Sequence, residues 1–219
     1  MELSTAIRRR RMVRRYDPSR PVPHEVLVTC LDAATRAPSA GFTQGWDFVV
    51  LTSNAQRQAF WGASRESEHN DTWLAGLMTA PMLIVCASDP NAYLDRYTEA
   101  DKGWTDRDPD RWPIPYWDVD TGMAAMLMLL TAVDQGIGGC FFGVPTGRHT
   151  PVRAALGIPE DRRLVGVISL GYAVPHPKSP SLRRGRRTVE DVAHWGRFGG
   201  SPAPTDAAVG EDKTPSLEG

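Results

Sequence analysis

Residues 119–145 read VDTGMAAMLMLLTAVDQGIGGCFFGVP and hold the two elements that decide the fold. Residues 119–135 repeat apolar side chains at helical spacing, which predicts the longest helix of the chain. One face of this helix carries Met123, Met126, Leu127, Leu130 and Val133. Because other apolar residues lie around it, the helix is expected in the centre of the protein or at a subunit interface. Residues 138–142 follow as a short strand crowded by glycine.

Helices and strands alternate along the rest of the chain. The spacing predicts helices at residues 2–10, 24–36, 71–79, 151–156 and 188–194, and one that is capped by Ser53 and runs to residue 63. The first of these is expected to bury Leu3, Ala6 and Ile7. Short apolar runs predict buried strands at residues 48–52, 82–87 and 164–170. Since strict βαβ spacing is absent, the order indicates an α+β fold.

The composition is that of one globular domain followed by a tail. Of 219 residues, 41% are hydrophobic and 23% are charged, and a chain of this length can bury a substantial core. Residues 199–219 are rich in Pro, Ala, Gly and Asp without periodicity, which predicts a disordered tail after a domain at 1–198. The formal net charge of −1 gives no overall attraction to nucleic acid or to anionic lipid.

The cysteines and histidines are not arranged as metal ligands. Cys30, Cys86 and Cys140 lie far apart in apolar runs, which is typical of reduced core cysteines. No pair of the five histidines has zinc-ligand spacing, so no metal site is expected. No apolar run is long enough to span a bilayer and no signal-peptide pattern is present, so a cytoplasmic location is predicted.

Residues 88–117 form a lid-like insert, called the lid segment below. They combine many charges and prolines with six aromatic residues: Tyr93, Tyr97, Trp104, Trp112, Tyr116 and Trp117. A segment of this length is too long to be a simple connection. Its aromatic rings suit a flat substrate, and Arg96, Lys102, Arg107 or Arg111 could bind an anionic one. An equally weighted alternative is that the segment wraps a partner subunit.

Two arginine clusters stand at opposite ends of the sequence. Six arginines fall between Arg8 and Arg15, and four more lie within residues 183–187. A phosphate dianion is commonly held by guanidinium groups, and Arg10, Arg11 and Arg14 have the spacing to share one side of a helix end. The alternatives are a solvated basic face or, less favoured, a nucleic-acid patch.

Two glycine-containing segments allow close approach of a ligand to the backbone. Residues 37–45 read APSAGFTQG and are called the Pro-Ser loop here; Ser39 and Gln44 add polar groups and Phe42 an aromatic ring. Residues 136–145 read GIGGCFFGVP and surround the predicted strand at 138–142, called the glycine-rich strand. Taken singly, each is as well explained by a plain connecting loop or a core strand.

The order of these motifs resembles the nitroreductase superfamily. It runs from RRMVRRYD at residues 10–17 through the Pro-Ser loop, APMLIV at 80–85 and the glycine-rich strand to the second arginine cluster. The match extends from about residue 6 to 195. The lid segment and the Leu-Gly-Tyr after the last strand resemble most the subgroup of iodotyrosine deiodinase and the flavin-cleaving dimethylbenzimidazole synthase.

The resemblance implies a nitroreductase-like fold with a mostly antiparallel central sheet, and a homodimer that binds FMN non-covalently at its interface. The implied FMN-binding residues are Arg10, Arg11, Met12, Arg14, Pro38, Ser39, Ala40, Gln44, Phe141, Phe142, Gly143, Val144, Arg184 and Arg186. The family usually has Ser where this chain has Met12, which removes one hydroxyl from the phosphate site. The substrate pocket is expected to include Phe42, Tyr93, Tyr97, Trp104 and Trp112.

The implied activity is electron transfer from NADH or NADPH through FMN to a small aromatic acceptor, with no catalytic side chain required. Two other functions fit the same fold: a protein that stores FMN without turnover, and an enzyme that uses reduced flavin and O2. A DNA-binding regulator that uses residues 8–15 is a weaker alternative.

Overall fold

A computed structural model of the chain describes residues 1–65, 72–177 and 179–201. Eight α-helices are present in these ranges: α1 (Leu3–Arg9), α2 (His24–Thr35), α3 (Asn54–Ser64), α4 (Thr72–Leu77), α5 (Pro90–Tyr97), α6 (Tyr116–Asp134), α7 (His149–Leu156) and α8 (Val189–Val192). The strands are β1 (Trp46–Leu51), β2 (Met82–Ser88), β3 (Gly138–Phe142) and β4 (Arg163–Gly171). Position 71 of the helix predicted at 71–79, and the tail beyond residue 201, lie outside the described residues.

The four strands form one sheet in the order β1-β2-β4-β3, and every strand pair is antiparallel. Side chains of β2 alternate between two apolar cores, as expected for a strand that is covered on both faces. Met82, Ile84 and Cys86 join the core beneath α2 and α6. Leu83 and Val85 join the core beneath α3 and α7. The α+β fold with an antiparallel sheet is therefore confirmed.

Local sequence signals set several of these boundaries. The hydroxyl of Ser53 accepts a hydrogen bond from the Gln56 backbone N–H, and the Gln56 side chain accepts one from the backbone of Ser53. This capping box fixes the start of α3 as predicted. Gly157 adopts the left-handed conformation (φ 65°) that ends α7.

Helix α6 is central, as expected, and one side of it is packed against the rest of the first unit. Its packed side consists of Trp117, Asp120, Thr121, Ala124, Ala125, Met128, Leu129 and Ala132. Met123 and Met126, on the apolar face named from the sequence, are exposed, and a place for this face at a subunit interface stays a prediction. The alanines lie on the packed side, where small side chains let α6 approach α2 and the sheet closely.

The first helix also buries less than predicted. Ala6 is buried, but Leu3 and Ile7 are exposed in the single chain. Helix α1 packs against α6 through one narrow side, so the apolar residues on its other sides meet no described residue that covers them.

The chain divides into two compact units, Met1–His176 and Pro177–Gly219. The first contains the sheet and helices α1 to α7. In the described part of the second, a short 3-10 helix at Pro180–Arg184 precedes α8. The predicted domain boundary at residue 198 stays a prediction. No helix within the described residues is long and apolar enough to cross a membrane.

Candidate flavin site

The arginine segment, residues 10–17, extends the sheet beyond β3. The backbone N–H of Val13 donates to the carbonyl of Gly139 at 2.9 Å, and Met12 forms a parallel bridge with Gly139. Further along, the N–H of Asp17 donates to the carbonyl of Tyr172 at 2.9 Å. These bonds fix the arginine segment at the edge of the sheet, although Val13 and Gly139 lie far apart in sequence.

Tyr16 ties this segment to β4 through its side chain. Its ring is buried, and its hydroxyl donates to the Val13 carbonyl at 2.6 Å and lies 2.8 Å from Oγ of Ser169. Burial raises the pKa of Tyr16, so the phenol stays neutral and remains a donor at ordinary pH. The backbone N–H of Tyr16 also donates to Oγ1 of Thr79 at 2.9 Å.

Arg10 and Arg14 carry buried guanidinium nitrogens without partners. Nη1 of Arg10 and Nε of Arg14 are buried and have no hydrogen-bond partner among the residues that the structure describes. Both side chains lie near Cys140 on β3: burial raises the pKa of this thiol, and the positive charges of Arg14 and Arg10 oppose that rise. Buried donors without acceptors are costly, so these two atoms fit an anionic ligand beside β3. Arg11 is exposed.

Met12 lies between the two arginines and packs against both apolar cores. Its side chain therefore contributes to folding and brings no hydroxyl to this position. Only the backbone of this residue can offer a hydrogen bond to a phosphate.

The glycine-rich strand directs its two phenylalanines to opposite faces of the sheet. The ring of Phe142 stacks on Trp61, with a centroid distance of 5.7 Å and an interplanar angle of 9°. Phe141 is half-buried on the other face, where its ring covers Gly166. A Cβ added to Gly166 would lie 2.3 Å from the Phe141 ring. The side chain of Phe142 is thus part of the core, and Gly143 and Val144 follow it at the strand end.

The Pro-Ser loop holds an unusual backbone conformation. Gly41, Phe42 and Gln44 all have positive φ, between 55° and 63°, a region that non-glycine residues rarely adopt. The hydroxyl of Ser39 accepts a hydrogen bond from the Gln44 N–H at 2.9 Å. Pro38 is exposed and Ala40 half-buried, and 77% of Phe42 is exposed, so this loop offers an open surface to a ligand.

Asp120 is a candidate site residue that sequence reasoning missed. It is buried at the start of α6, and its Oδ2 accepts hydrogen bonds from the Ala40 N–H at 2.8 Å and from the Tyr93 hydroxyl at 2.7 Å. The available signal was an acidic residue at the start of the longest apolar run. A buried charge costs free energy unless it is hydrogen-bonded, so such a position calls for a specific role.

The aromatic residues of the lid segment pack on one another. Trp112 is the centre of this group, with ring centroids 4.6 Å from Tyr97, 5.5 Å from Trp104 and 5.9 Å from Tyr93. Tyr93 is fully buried, while Trp104 and Trp112 are half-buried. In this conformation the rings form a small core of the lid, and Tyr93 does not face solvent.

The arginines of the lid segment are engaged within it. Arg96 pairs with Asp101, Arg107 with Asp95, and Arg111 with Asp106, at distances between 2.6 and 2.8 Å. The Arg96 guanidinium lowers the pKa of Asp101 to about 2. These side chains are therefore already satisfied, which argues against the predicted binding of an anionic substrate by Arg96, Arg107 or Arg111.

Arg184 and Arg186 belong to the second unit and are exposed there. Their assignment as ligands of the same phosphate stays a prediction. Among the described residues, no group of three or more His, Cys, Asp or Glu side chains could hold a metal ion.

Comparison with known proteins matches the fold and the motif order. The model of the nitroreductase family matches residues 7–172. A Thermus thermophilus protein named NADH dehydrogenase is 28% identical over 215 residues, covering 89% of this chain and 96% of that protein. Its name supports an oxidoreductase.

Solved structures agree in fold. A nitroreductase with bound FMN from Bacteroides fragilis has a TM-score of 0.61 at 24% identity, covering 86% of this chain and 98% of that one. A nitroreductase family protein from Streptococcus pneumoniae has a TM-score of 0.67 at 19% identity, covering 88% and 99%. The family match covers most of the chain and the arginine segment, Pro-Ser loop, lid segment and glycine-rich strand lie inside it. This chain therefore belongs to the nitroreductase family.

Proposed function

We propose that the protein is an FMN-dependent oxidoreductase that passes electrons from NADH or NADPH to a small aromatic acceptor and works as a homodimer. The observation that carries the proposal is the pair of buried, unpartnered guanidinium nitrogens on Arg10 and Arg14. A phosphate monoester dianion would satisfy both with charge-assisted hydrogen bonds. The bound FMN of the Bacteroides fragilis relative supports the same choice of ligand.

The remaining groups around β3 suit a flat ring system. Gly143 has no side chain, and an added Cβ there would meet no atom within 4 Å, so the strand end is open. Phe141 is half-buried beside it. FMN, when bound, would supply the reversible two-electron chemistry, and the protein would supply binding, orientation and exclusion of water.

Each segment then has a binding role. Arg10 and Arg14 would neutralise the phosphate, and Pro38 to Ala40 would pack against the ring from the partner subunit. The lid segment would cover the acceptor with Trp104 and Trp112 and keep water from it. Because its arginines are paired with its own carboxylates, a neutral acceptor is favoured over an anionic one.

An uncovered apolar surface supports the homodimer. Val119, Met123 and Met126 on the outer face of α6 are all exposed, as are Leu3 and Ile7 of α1. Apolar side chains clustered on adjacent helices are typical of an interface between subunits. A homodimer built on α6 would cover them.

Turnover with a neutral acceptor tests the proposed function. The purified holoprotein is expected to oxidise NADH or NADPH about tenfold faster with 1,4-benzoquinone or nitrobenzene than with a carboxylated analogue of each, because Arg96, Arg107 and Arg111 are paired with carboxylates of the lid itself. The measurement is the loss of nicotinamide absorbance under argon. Bound flavin without turnover would favour the storage function, which the missing hydroxyl at Met12 also suits. Reoxidation of the flavin that occurs only after air is admitted would favour the oxygen-dependent alternative.

A further inference from the structure

The buried carboxylate of Asp120 joins three separate parts of the first unit. It lies in the first turns of α6 and is only 1% exposed. The Ala40 N–H and the Tyr93 hydroxyl both donate to its Oδ2, so helix, Pro-Ser loop and lid segment meet at one oxygen atom. Asp120 makes no ion pair with any residue in the described ranges.

A charge in this position is not needed for packing alone. Burying a carboxylate without a cation is unfavourable, and an apolar or amide side chain of similar volume would fill the same space at lower cost. The role of Asp120 is therefore to accept two hydrogen bonds. One comes from the peptide that follows Ser39, and the other comes from the buried tyrosine of α5.

Three more contacts attach the lid segment to the same loop. Nε of Arg96 donates to the Gly41 carbonyl at 2.9 Å. The rings of Tyr97 and Tyr93 approach Gly41 and Gly45 so closely that an added Cβ would lie 2.9 Å and 2.5 Å from them. The loop and helix α5 are therefore packed without space between them.

The Pro-Ser loop needs such an anchor because its backbone is strained. Phe42 and Gln44 have φ of 55°, which is unfavourable for residues with a Cβ. Strained backbone persists where surrounding contacts hold it. Asp120 supplies one of these contacts at Ala40, two residues before the strained stretch reaches Phe42.

We propose that Asp120 is a positioning residue that fixes Pro38, Ser39 and Ala40 against the flavin and couples them to the lid over the acceptor. The inference rests on the proposed function. Loss of the Tyr93 bond would loosen only the lid, whereas loss of the carboxylate would loosen both the lid and the loop. Substitutions can therefore separate the effect of Asp120 on the lid from its effect on the loop.

The test compares four variants as FMN-loaded proteins: Asp120→Leu, Asp120→Asn, Tyr93→Phe and Asp118→Leu. Asp118 is the matched control, because it lies on the same helix but bonds Ser88 and Arg163 instead of the loop. The readouts are the visible circular dichroism of the bound flavin and the KM and kcat for 1,4-benzoquinone.

In Asp120→Leu we expect an altered flavin dichroism and a KM for the acceptor raised roughly tenfold, as when a hydrogen bond to a charged group is lost. Tyr93→Phe should raise the KM and leave the dichroism unchanged. Asp120→Asn keeps an acceptor oxygen, so its flavin dichroism and KM should stay close to those of the wild type. Asp118→Leu should change neither.

Wild-type dichroism and KM in Asp120→Leu would overturn the inference, and so would equal changes in Asp118→Leu. If Asp120→Leu does not fold, a wild-type KM in Tyr93→Phe overturns the coupling by itself. A wild-type protein that binds no FMN would be a different failure, because it would overturn the proposed function before any variant is compared.

Discussion

Replacement of both Arg10 and Arg14 by alanine is expected to abolish retention of FMN while the protein stays folded. Each side chain offers a buried nitrogen that lacks a partner among the described residues. A hydrogen bond to a charged group contributes about 1.5–3 kcal/mol, so loss of two such contacts should weaken FMN binding by about a thousandfold. The measurement is quenching of FMN fluorescence on titration with the apoprotein.

Arg8→Ala is the matched control for this pair. Arg8 lies in the same cluster, but it is exposed and its Nη2 donates to Oγ of Ser4 within α1. The control should bind FMN as the wild type does, since its charge lies on a solvated surface. Undiminished FMN affinity in the double variant would show that the phosphate is held elsewhere.

Gly76→Ala is expected to destabilise the protein and weaken FMN binding, although alanine has a higher helix propensity than glycine. Gly76 lies in α4, where an added Cβ would sit 2.3 Å from the backbone carbonyl oxygen of Arg14. A collision with backbone cannot be relieved by rotating a side chain, so helix and arginine segment must separate. Overpacking of this kind typically costs about 1–3 kcal/mol, and we expect the upper end together with a roughly tenfold weaker FMN affinity as Arg14 is displaced.

Gly62→Ala separates the helix effect from the collision. Gly62 lies in α3 and an added Cβ there meets no atom within 4 Å. This variant should gain up to about 1 kcal/mol in free energy of unfolding, the usual preference of a helix for alanine. Urea unfolding of both variants is the measurement. A stabilised Gly76→Ala protein would mean that α4 does not pack on the arginine segment as described.

Much of the fold could be predicted because its signals are local. The limits of β3 agree with residues 138–142, and the Ser53 cap and the Gly157 terminator act within one helical turn. The orientation of α6 could not be predicted, because apolar residues surround it. Which side packs depends on Ala124, Ala125 and Ala132 fitting closely against α2 and the sheet.

The candidate site was predictable only in part for the same reason. The order of the arginine segment, Pro-Ser loop and glycine-rich strand indicated the family, and the structure brings Arg10 and Arg14 beside β3. The bond between Ala40 and Asp120 joins residues that are far apart in sequence, and no local pattern marks it. The arginines of the lid segment suggested a site for an anionic substrate, but their partners are carboxylates of the segment itself.

The most direct test of the central claim is a visible absorption spectrum of the freshly purified protein, followed by addition of NADH and then NADPH under argon. We expect a yellow protein whose flavin bands bleach with at least one nucleotide, since Arg10 and Arg14 would retain FMN and the open strand end would admit the donor. A colourless protein that also takes up no added FMN would contradict it, because the buried guanidinium groups would then serve another ligand.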